Sequence, residues 1–386
     1  MNEIDDQIKR DFIVSKKTIY MNNGAVAPTP LSTIKAVTDF MLKCAETGPD
    51  APQTSEYIVS LLDELRTRVA YLINCEQEEV VLVQSTTEGL NMVANGISWK
   101  SRDSIVIRGG RHEHYANYLP WVSVSQRKGV ELRELAIDEN GYFDIDEIER
   151  LMKGARIVTM SHALYNTGAI MPLEEVGRIA KANNSLFCVD AAQSAGTIPI
   201  DVKKLKCDFM AFPGFKWLCG PTGIGAFYCS KKAIETLSPQ SIGIESARLS
   251  EENVMTYFDL PNRFQAGFRN FPGAAGLEAS LRYILRIGLE TIRRKNMKVA
   301  GALRDDVGKI SGVRMYGPDD ESKRTSIVTF MLPADSSTIV KKLEQNNIIF
   351  AARDVGNGKK AVRASPHFFN IEEEVSTAVS YIKSLL

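Results

Sequence analysis

A chain of 386 residues, 44% hydrophobic and 24% charged, can bury a large core and still carry a second, smaller unit. Its 47 Lys and Arg balance 47 Asp and Glu, so no basic excess points to nucleic acid, and no apolar run reaches transmembrane length. The acidic opening Met1-Asn2-Glu3-Ile4-Asp5-Asp6 lacks an apolar signal region, which predicts a cytoplasmic protein.

After an N-terminal segment over 1–20, apolar strands are predicted at 80–83, 104–107, 156–160, 186–189, 208–212 and 224–229. Helix-like stretches such as Leu173-Glu-Glu-Val-Gly-Arg-Ile-Ala-Lys-Ala182 separate them. That alternation predicts the α/β class, a mostly parallel sheet covered by helices on both faces, whose ligands bind outside the strand carboxyl ends. A compositional shift follows Phe271-Pro-Gly273, and with it come a long helical stretch at 274–310, a strand at 326–331, a helix at 337–346, a strand at 348–352 and a last helix from 371. The expected division is therefore a large domain over 21–270 and a small α+β domain over 271–386. Cys44, Cys75, Cys188, Cys207, Cys219 and Cys229 lack close metal-ligand spacing and read as buried free thiols.

Three features carry chemistry. Val80-Val-Leu-Val-Gln-Ser-Thr-Thr-Glu88 reads as strand, hydroxyl-rich turn and helix start, an arrangement that serves as an anion site or as an ordinary N-cap. Asp190 ends the apolar run 186–189 as a carboxylate at a strand tip, where it is either a helix cap or the acid that holds a pyridine nitrogen protonated in a pyridoxal phosphate enzyme. Lys216 lies 26 residues further on, past another strand and before a glycine-rich stretch. A lysine there is either a solvated charge or, once desolvated, a neutral amine suited to attack an aldehyde. The interval holds one connection and one strand, so two neighbouring strand ends can aim both residues into one crevice.

Other motifs carry less. His112-x-His114 has no third metal ligand nearby, so no metal is expected. Gly220 to Gly225 lacks the context of a dinucleotide loop and reads as packing beside a cofactor. His162 is either a core histidine at a strand end or a site residue, and His367 either lines the pocket or faces solvent.

Glu113-His-Tyr-Ala-Asn-Tyr-Leu-Pro-Trp121, Val189-Asp-Ala-Ala-Gln193, Gly214-Phe-Lys216 and Gly220-Pro-Thr-Gly-Ile-Gly225 follow one another in this order. Together they resemble the class V aminotransferase family, in its cysteine desulfurase and selenocysteine lyase branch, with isopenicillin N epimerase as a relative. The resemblance runs from Tyr20-Met-Asn-Asn-Gly-Ala25 to Val362-Arg-Ala-Ser365 and Phe369-Asn370. It implies a pyridoxal phosphate-dependent fold type I enzyme, a homodimer with its active site at the subunit interface. By position it also implies that His114 stacks on the pyridine ring, Asn166 lies near the phenolic oxygen, Asp190 pairs the ring nitrogen and Gln193 lies beside the cofactor. Thr86 and Thr87 then hold the phosphate, Lys216 forms the Schiff base, and Arg363 clamps the substrate carboxylate.

Departures from the pattern bear on the reaction. The family's desulfurases usually carry Ser and His before the lysine, where this chain has Pro213 and Phe215. The usual Ala-Gly-Thr becomes Ala266-Gly-Phe268, with Arg269 as a compensating candidate. The stretch 351–363 holds no cysteine, although a thiolate is the nucleophile of persulfide formation. The expectation is an enzyme acting at Cα or Cβ of an amino acid, of aminotransferase or epimerase type. A C–S lyase without the loop cysteine is the alternative, and a catalytically silent cofactor-binding scaffold is a third reading.

Overall fold

The computed structural model describes residues 3–109, 113–138, 141–356 and 358–386. His112, half of the His-x-His pair, lies outside the described residues.

In chain order the first elements are α1 (Glu3–Asp11), β1 (Ile19–Tyr20), α2 (Leu31–Thr47), α3 (Pro52–Ile73), β2 (Val80–Val83) and α4 (Thr86–Gly96). Then follow β3 (Ser104–Arg108), α5 (Tyr115–Lys128), β4 (Glu131–Leu135), α6 (Ile145–Met152), β5 (Ile157–Ser161), α7 (Leu173–Ala182) and β6 (Leu186–Asp190). The short α8 (Val202–Leu205) leads into β7 (Phe209–Pro213) and β8 (Gly225–Cys229). These strands form one seven-stranded sheet in the order β2-β8-β7-β6-β5-β3-β4, parallel except for β8, which runs antiparallel to both of its neighbours.

The sheet is buried on both faces, which is why most of its strands are short continuous apolar runs and not alternating ones. Leu65, Val69, Ile148, Val176 and Leu277 pack against one face, Leu90, Val93, Trp121 and Val124 against the other. The edge strand β4, Glu131-Leu-Arg-Glu-Leu135, is largely polar and exposed, as an unpaired edge requires, and was not anticipated from sequence.

A small hairpin, β9 (Ala247–Leu249) with β10 (Met255–Tyr257), precedes α9 (Phe271–Ile287) and α10 (Leu289–Gly308). The single helix expected over 274–310 is thus two, because Gly288 adopts φ 86° and ends α9 with its N–H on Ile284 O. Next come β11 (Arg314–Tyr316), β12 (Val328–Met331), α11 (Ser336–Glu344), β13 (Ile348–Ile349), β14 (Ala351–Asp354), β15 (Lys360–Ala364) and α12 (Glu372–Ser384). The strand expected over 348–352 divides at Phe350: β13 pairs in parallel with β1, while β14 joins the antiparallel sheet β11-β12-β15-β14.

The N-terminal segment is tied to the C-terminal residues. The Phe12 ring stacks on Phe369 at 4.4 Å, Met21 sits in the apolar cluster of the four-stranded sheet, and Ser365 N donates to Met21 O. At the other expected division, α9 begins at Phe271, and its Ala274, Leu277 and Leu281 lie in the core of the seven-stranded sheet.

Candidate active site

Parallel strands β6 and β7 lie side by side, with Asp190 opposite Ala211, so the chain leaving each strand enters the same region. Asp190 is buried, its Oδ1 accepting the Ala192 N–H at 2.8 Å and its carbonyl accepting the His162 N–H at 2.8 Å. Burial, then the nearby Glu113, pushes its carboxyl up to about 6, against the lowering effect of the Ala192 N–H and Lys216. Lys216 stands three residues past the end of β7, half-buried. Burial brings its ammonium down to about 8; Asp190 opposes this, while the Arg363 and Arg353 cations reinforce it. The lowering raises the neutral fraction near neutrality well above that of an ordinary lysine, as an amine nucleophile needs.

The glycines after Lys216 also serve the packing of the chain itself. A Cβ on Gly220 would stand 2.9 Å from Leu277 and 3.0 Å from Gly214 O. The stretch is therefore glycine-rich because the backbone folds onto itself and onto α9, and this packing holds the lysine loop in place.

Thr86 and Thr87 open α4, with Ser85 as the N-cap accepting the Glu88 N–H at 3.2 Å. Thr86 is buried, and its hydroxyl has no hydrogen-bond partner. Ser85, Thr86, Thr87, Asp190, Gln193 and Lys216 line one inner compartment of about 110 Å3. A buried orphan hydroxyl at the positive end of a helix, with a strand-end carboxylate and an amine in the same compartment, fits a phosphorylated pyridine aldehyde. Gln193 is held as part of the wall: its Nε2 donates to Gly24 O at 2.8 Å, and its Oε1 accepts Trp217 Nε1 at 2.9 Å.

His114 caps α5, its Nδ1 accepting the Ala116 N–H at 3.1 Å, which leaves the proton of the neutral ring on Nε2. Burial first, then Lys216, Arg363 and Arg353, bring its pKa down to about 4, so the ring is neutral. Tyr165 packs edge-on against it, centroids 4.9 Å apart. Beneath lies a pair that sequence reasoning missed. Buried Glu113 accepts the His114 N–H at 3.0 Å, the Ser161 N–H at 3.1 Å and the Ser161 hydroxyl, with Arg108 Nη1 3.6 Å away. Two buried charges five residues apart, one at a strand end and one beside the histidine, are the signal that was available.

An outer cavity of about 770 Å3 shares His114, Tyr165, Gln193, Phe215 and Lys216 with the inner compartment and adds Arg353, Asp354 and Arg363. Arg363, on β15, is fully buried; Nη1 donates to Tyr165 O at 2.7 Å and Nη2 to Asn22 Oδ1 at 3.0 Å. Its Nε has no partner, and among the described residues no carboxylate pairs with it. Burial, with Arg353 adding to it, brings its pKa down to about 9.

Some expected residues lie elsewhere. Asn166 is buried but lines neither compartment; its Nδ2 donates 3.1 Å to Asp354 O, and its Oδ1 has no partner. His367 neither lines the pocket nor meets solvent, since its ring bridges Trp217 O at 2.9 Å and Asn296 Oδ1 at 3.2 Å in the core. His162 is a core residue, held neutral by burial. Arg269 is paired with Glu245 and is not among the residues of the inner compartment, so within this chain it does not replace the missing hydroxyl.

A mostly parallel sheet with a carboxylate and a lysine converging at its strand ends defines an α/β enzyme of the pyridoxal phosphate fold type I class. The model of the aminotransferase class-V family matches residues 19–377, and the chain belongs to this family of pyridoxal phosphate-dependent enzymes. It is 32% identical to a probable cysteine desulfurase of Pyrococcus abyssi, over 99% of this chain and 98% of that one. A solved cysteine desulfurase from Thermococcus onnurineus superposes with a TM-score of 0.93 at 32% identity, covering 98% and 97% of the two chains. The cystine C–S lyase C-DES, solved with its product cysteine persulfide, gives 0.89 at 25% identity, covering 96% and 98%.

Proposed function

We propose that this enzyme acts at Cα or Cβ of an amino acid, with Lys216 as the cofactor-linking amine and the proton carrier. The observation that carries this reading is the place of Lys216, which lines both the compartment of Asp190 and Thr86 and the cavity of Arg363. Pyridoxal phosphate, when bound, supplies an aldehyde for Lys216 to condense with and a protonated ring that withdraws electrons from Cα. Asp190 holds the proton on the ring nitrogen, and the neutral His114 ring covers the face. Thr86, Thr87 and the free N–H groups of α4 take the phosphate. Gln193 walls one side, while Asn166, which lines neither compartment, takes no part in this assignment. Arg363 takes the substrate carboxylate on its fork, which fixes the direction of the Cα bonds. The free Lys216 amine, whose pKa burial brings down to about 8, would serve as the base near Cα.

Aminotransferase chemistry needs these groups and a keto acid as amino acceptor, whereas epimerisation needs in addition a proton donor on the face of Cα opposite Lys216. A second reading, β-elimination at a C–S bond, is favoured by the desulfurase and C–S lyase names of the similar proteins. No cysteine lines either compartment among the described residues, and elimination needs none. The six unpaired cysteines support a reducing, cytoplasmic setting. Among the described residues no helix is long and apolar enough to cross a membrane. Exposed Phe268, Ile244, Leu249 and Val254 support a homodimer.

The test is direct. Protein loaded with pyridoxal phosphate is yellow, borohydride fixes the cofactor on Lys216, and Lys216→Ala abolishes both. A panel of amino acids then perturbs the absorbance and yields keto acid with no ammonia or sulfide in a transamination, inverted amino acid in an epimerisation, or sulfide with pyruvate and ammonia in a β-elimination. A protein that cannot be loaded sinks the proposal; one that loads but answers to no amino acid is the silent scaffold.

A further inference from the structure

The outer cavity holds more positive charge than the proposed reaction uses. Its lining cations are Lys216, Arg353 and Arg363, and its lining carboxylates are Glu113 and Asp354. Glu113 is engaged with Arg108 and Ser161. Lys216 is assigned to the cofactor and Arg363 to the α-carboxylate. Arg353, half-buried on β14, has only its Nη1 engaged, on its own strand's Ala352 O at 3.1 Å. Among the described residues no carboxylate lies within ion-pair distance of it, its neighbour Asp354 included, whose Oδ1 accepts the Gly356 N–H at 2.6 Å.

We propose that Arg353 is the side-chain specificity residue of this cavity and selects amino acids whose side chain ends in an anion. The inference rests on the assignment of Lys216 and Arg363 above. A planar fork with unengaged N–H groups, open to the cavity that holds the α-carboxylate clamp, matches a second carboxylate bidentately. The Arg353 charge acts on Lys216, His114 and Arg363, which places it within electrostatic reach of all three site groups. A neutral or apolar side chain entering there leaves a guanidinium desolvated without a partner, and that penalty is what discriminates.

The experiment uses the loaded holoenzyme in two arms. In the first, calorimetry compares succinate and glutarate with butyrate, which lacks the second carboxylate. In the second, kcat/KM is measured for aspartate and glutamate against asparagine and glutamine. Dicarboxylates are expected to bind roughly 10- to 100-fold tighter than the monocarboxylate, with a similar kinetic preference for acids over amides. Arg353→Gln is expected to collapse both ratios and Arg353→Lys to restore part of each, whereas Arg363→Lys weakens mono- and dicarboxylates alike. Equal handling of acids and amides, or ratios unchanged in Arg353→Gln, overturns this inference and leaves the proposed function standing. Failure of every amino acid to perturb the cofactor, with no borohydride trapping at Lys216, sinks both.

Discussion

Arg363 and Asp190 are two buried ionisable groups that no oppositely charged side chain pairs with among the described residues. The Arg363 fork is braced by Tyr165 O and Asn22 Oδ1, so its direction is set before a carboxylate arrives. Replacing it with Ala is expected to lower kcat/KM for an accepted amino acid by roughly 100-fold or more, through both binding and alignment of the Cα bond. The corresponding amine, which lacks the carboxylate, loses far less. Arg363→Lys guards against a simple folding defect, and an Ala variant that still prefers acid over amine as strongly as before rules the clamp out. For Asp190 the sign runs the other way from an ordinary salt-bridged acid. Its folded pKa, about 6, lies above the unfolded value, so the folded chain holds the extra proton between roughly pH 4 and 6. Stability from the neutral carboxyl is thus complete below that window and lost as pH rises through it. In the cofactor-free chain Asp190→Asn, which keeps an acceptor for the Ala192 N–H, is expected to add about 1–3 kcal/mol at pH 8 and almost nothing at pH 4. Denaturant unfolding at the two pH values reads this difference directly. Turnover by the loaded Asn variant is expected to fall by orders of magnitude, the stability and activity effects having opposite signs.

Among the elements, the antiparallel pair β14–β15 decides the most chemistry. It carries Arg353 and Arg363, and the sequence from 351 to 363 contains no thiol. Cys75, Cys188, Cys207, Cys219 and Cys229 are held in the thiol form by burial, which pushes each pKa upward, to about 12 for Cys75. Cysteine supplied as substrate is therefore expected to give no persulfide on the protein. Mass spectrometry after turnover checks this, and a persulfide mapped to any of the six cysteines reverses the argument. The same pair shows what was legible in advance. Buried strands such as Val80–Val83 and Phe209–Pro213 announce themselves because both faces need apolar side chains, and from them followed the parallel sheet and the meeting of Asp190 with Lys216. The β15 strand mixes lysine, arginine and small residues, so its pattern does not mark a strand, and Arg363 was reached through family resemblance alone. Arg353 was invisible because its significance lies in tertiary convergence, which no spacing encodes, whereas Arg108 and Glu113, five residues apart beside the histidine, left a signal that was overlooked. Gly288 was missed for a local reason: one positive-φ glycine divides an otherwise continuous helical pattern.

At the scale of the whole molecule, the exposed apolar surface supports the proposed homodimer. Phe268 is 90% exposed and Ile244 is 88% exposed, and Ile242, Leu249, Val254 and Met255 from the β9–β10 region are exposed as well. Exposed apolar side chains are costly in water, and Phe268 also lines a cavity with Gln84, Glu88 and its neighbours over 265–270 near the start of α4, a surface that a second chain would cover in the proposed dimer. A position this exposed contributes little to the stability of an isolated chain, so Phe268→Asp is expected to change the unfolding free energy of a monomer by no more than about 0.5 kcal/mol. Placed at an interface, the same carboxylate is desolvated without a partner, and the dimer is expected to weaken by at least roughly 100-fold in Kd. Sedimentation velocity across a dilution series separates the cases: the unmodified protein sediments at twice the chain mass, and the Asp variant moves to monomer at concentrations where the parent stays paired. Loss of bound cofactor in step with dissociation would place the second chain at the phosphate end of the site, where Thr86 supplies an unpaired hydroxyl. A parent protein that is monomeric at micromolar concentration, or a Phe268→Asp dimer as tight as the parent's, removes this face from the assembly.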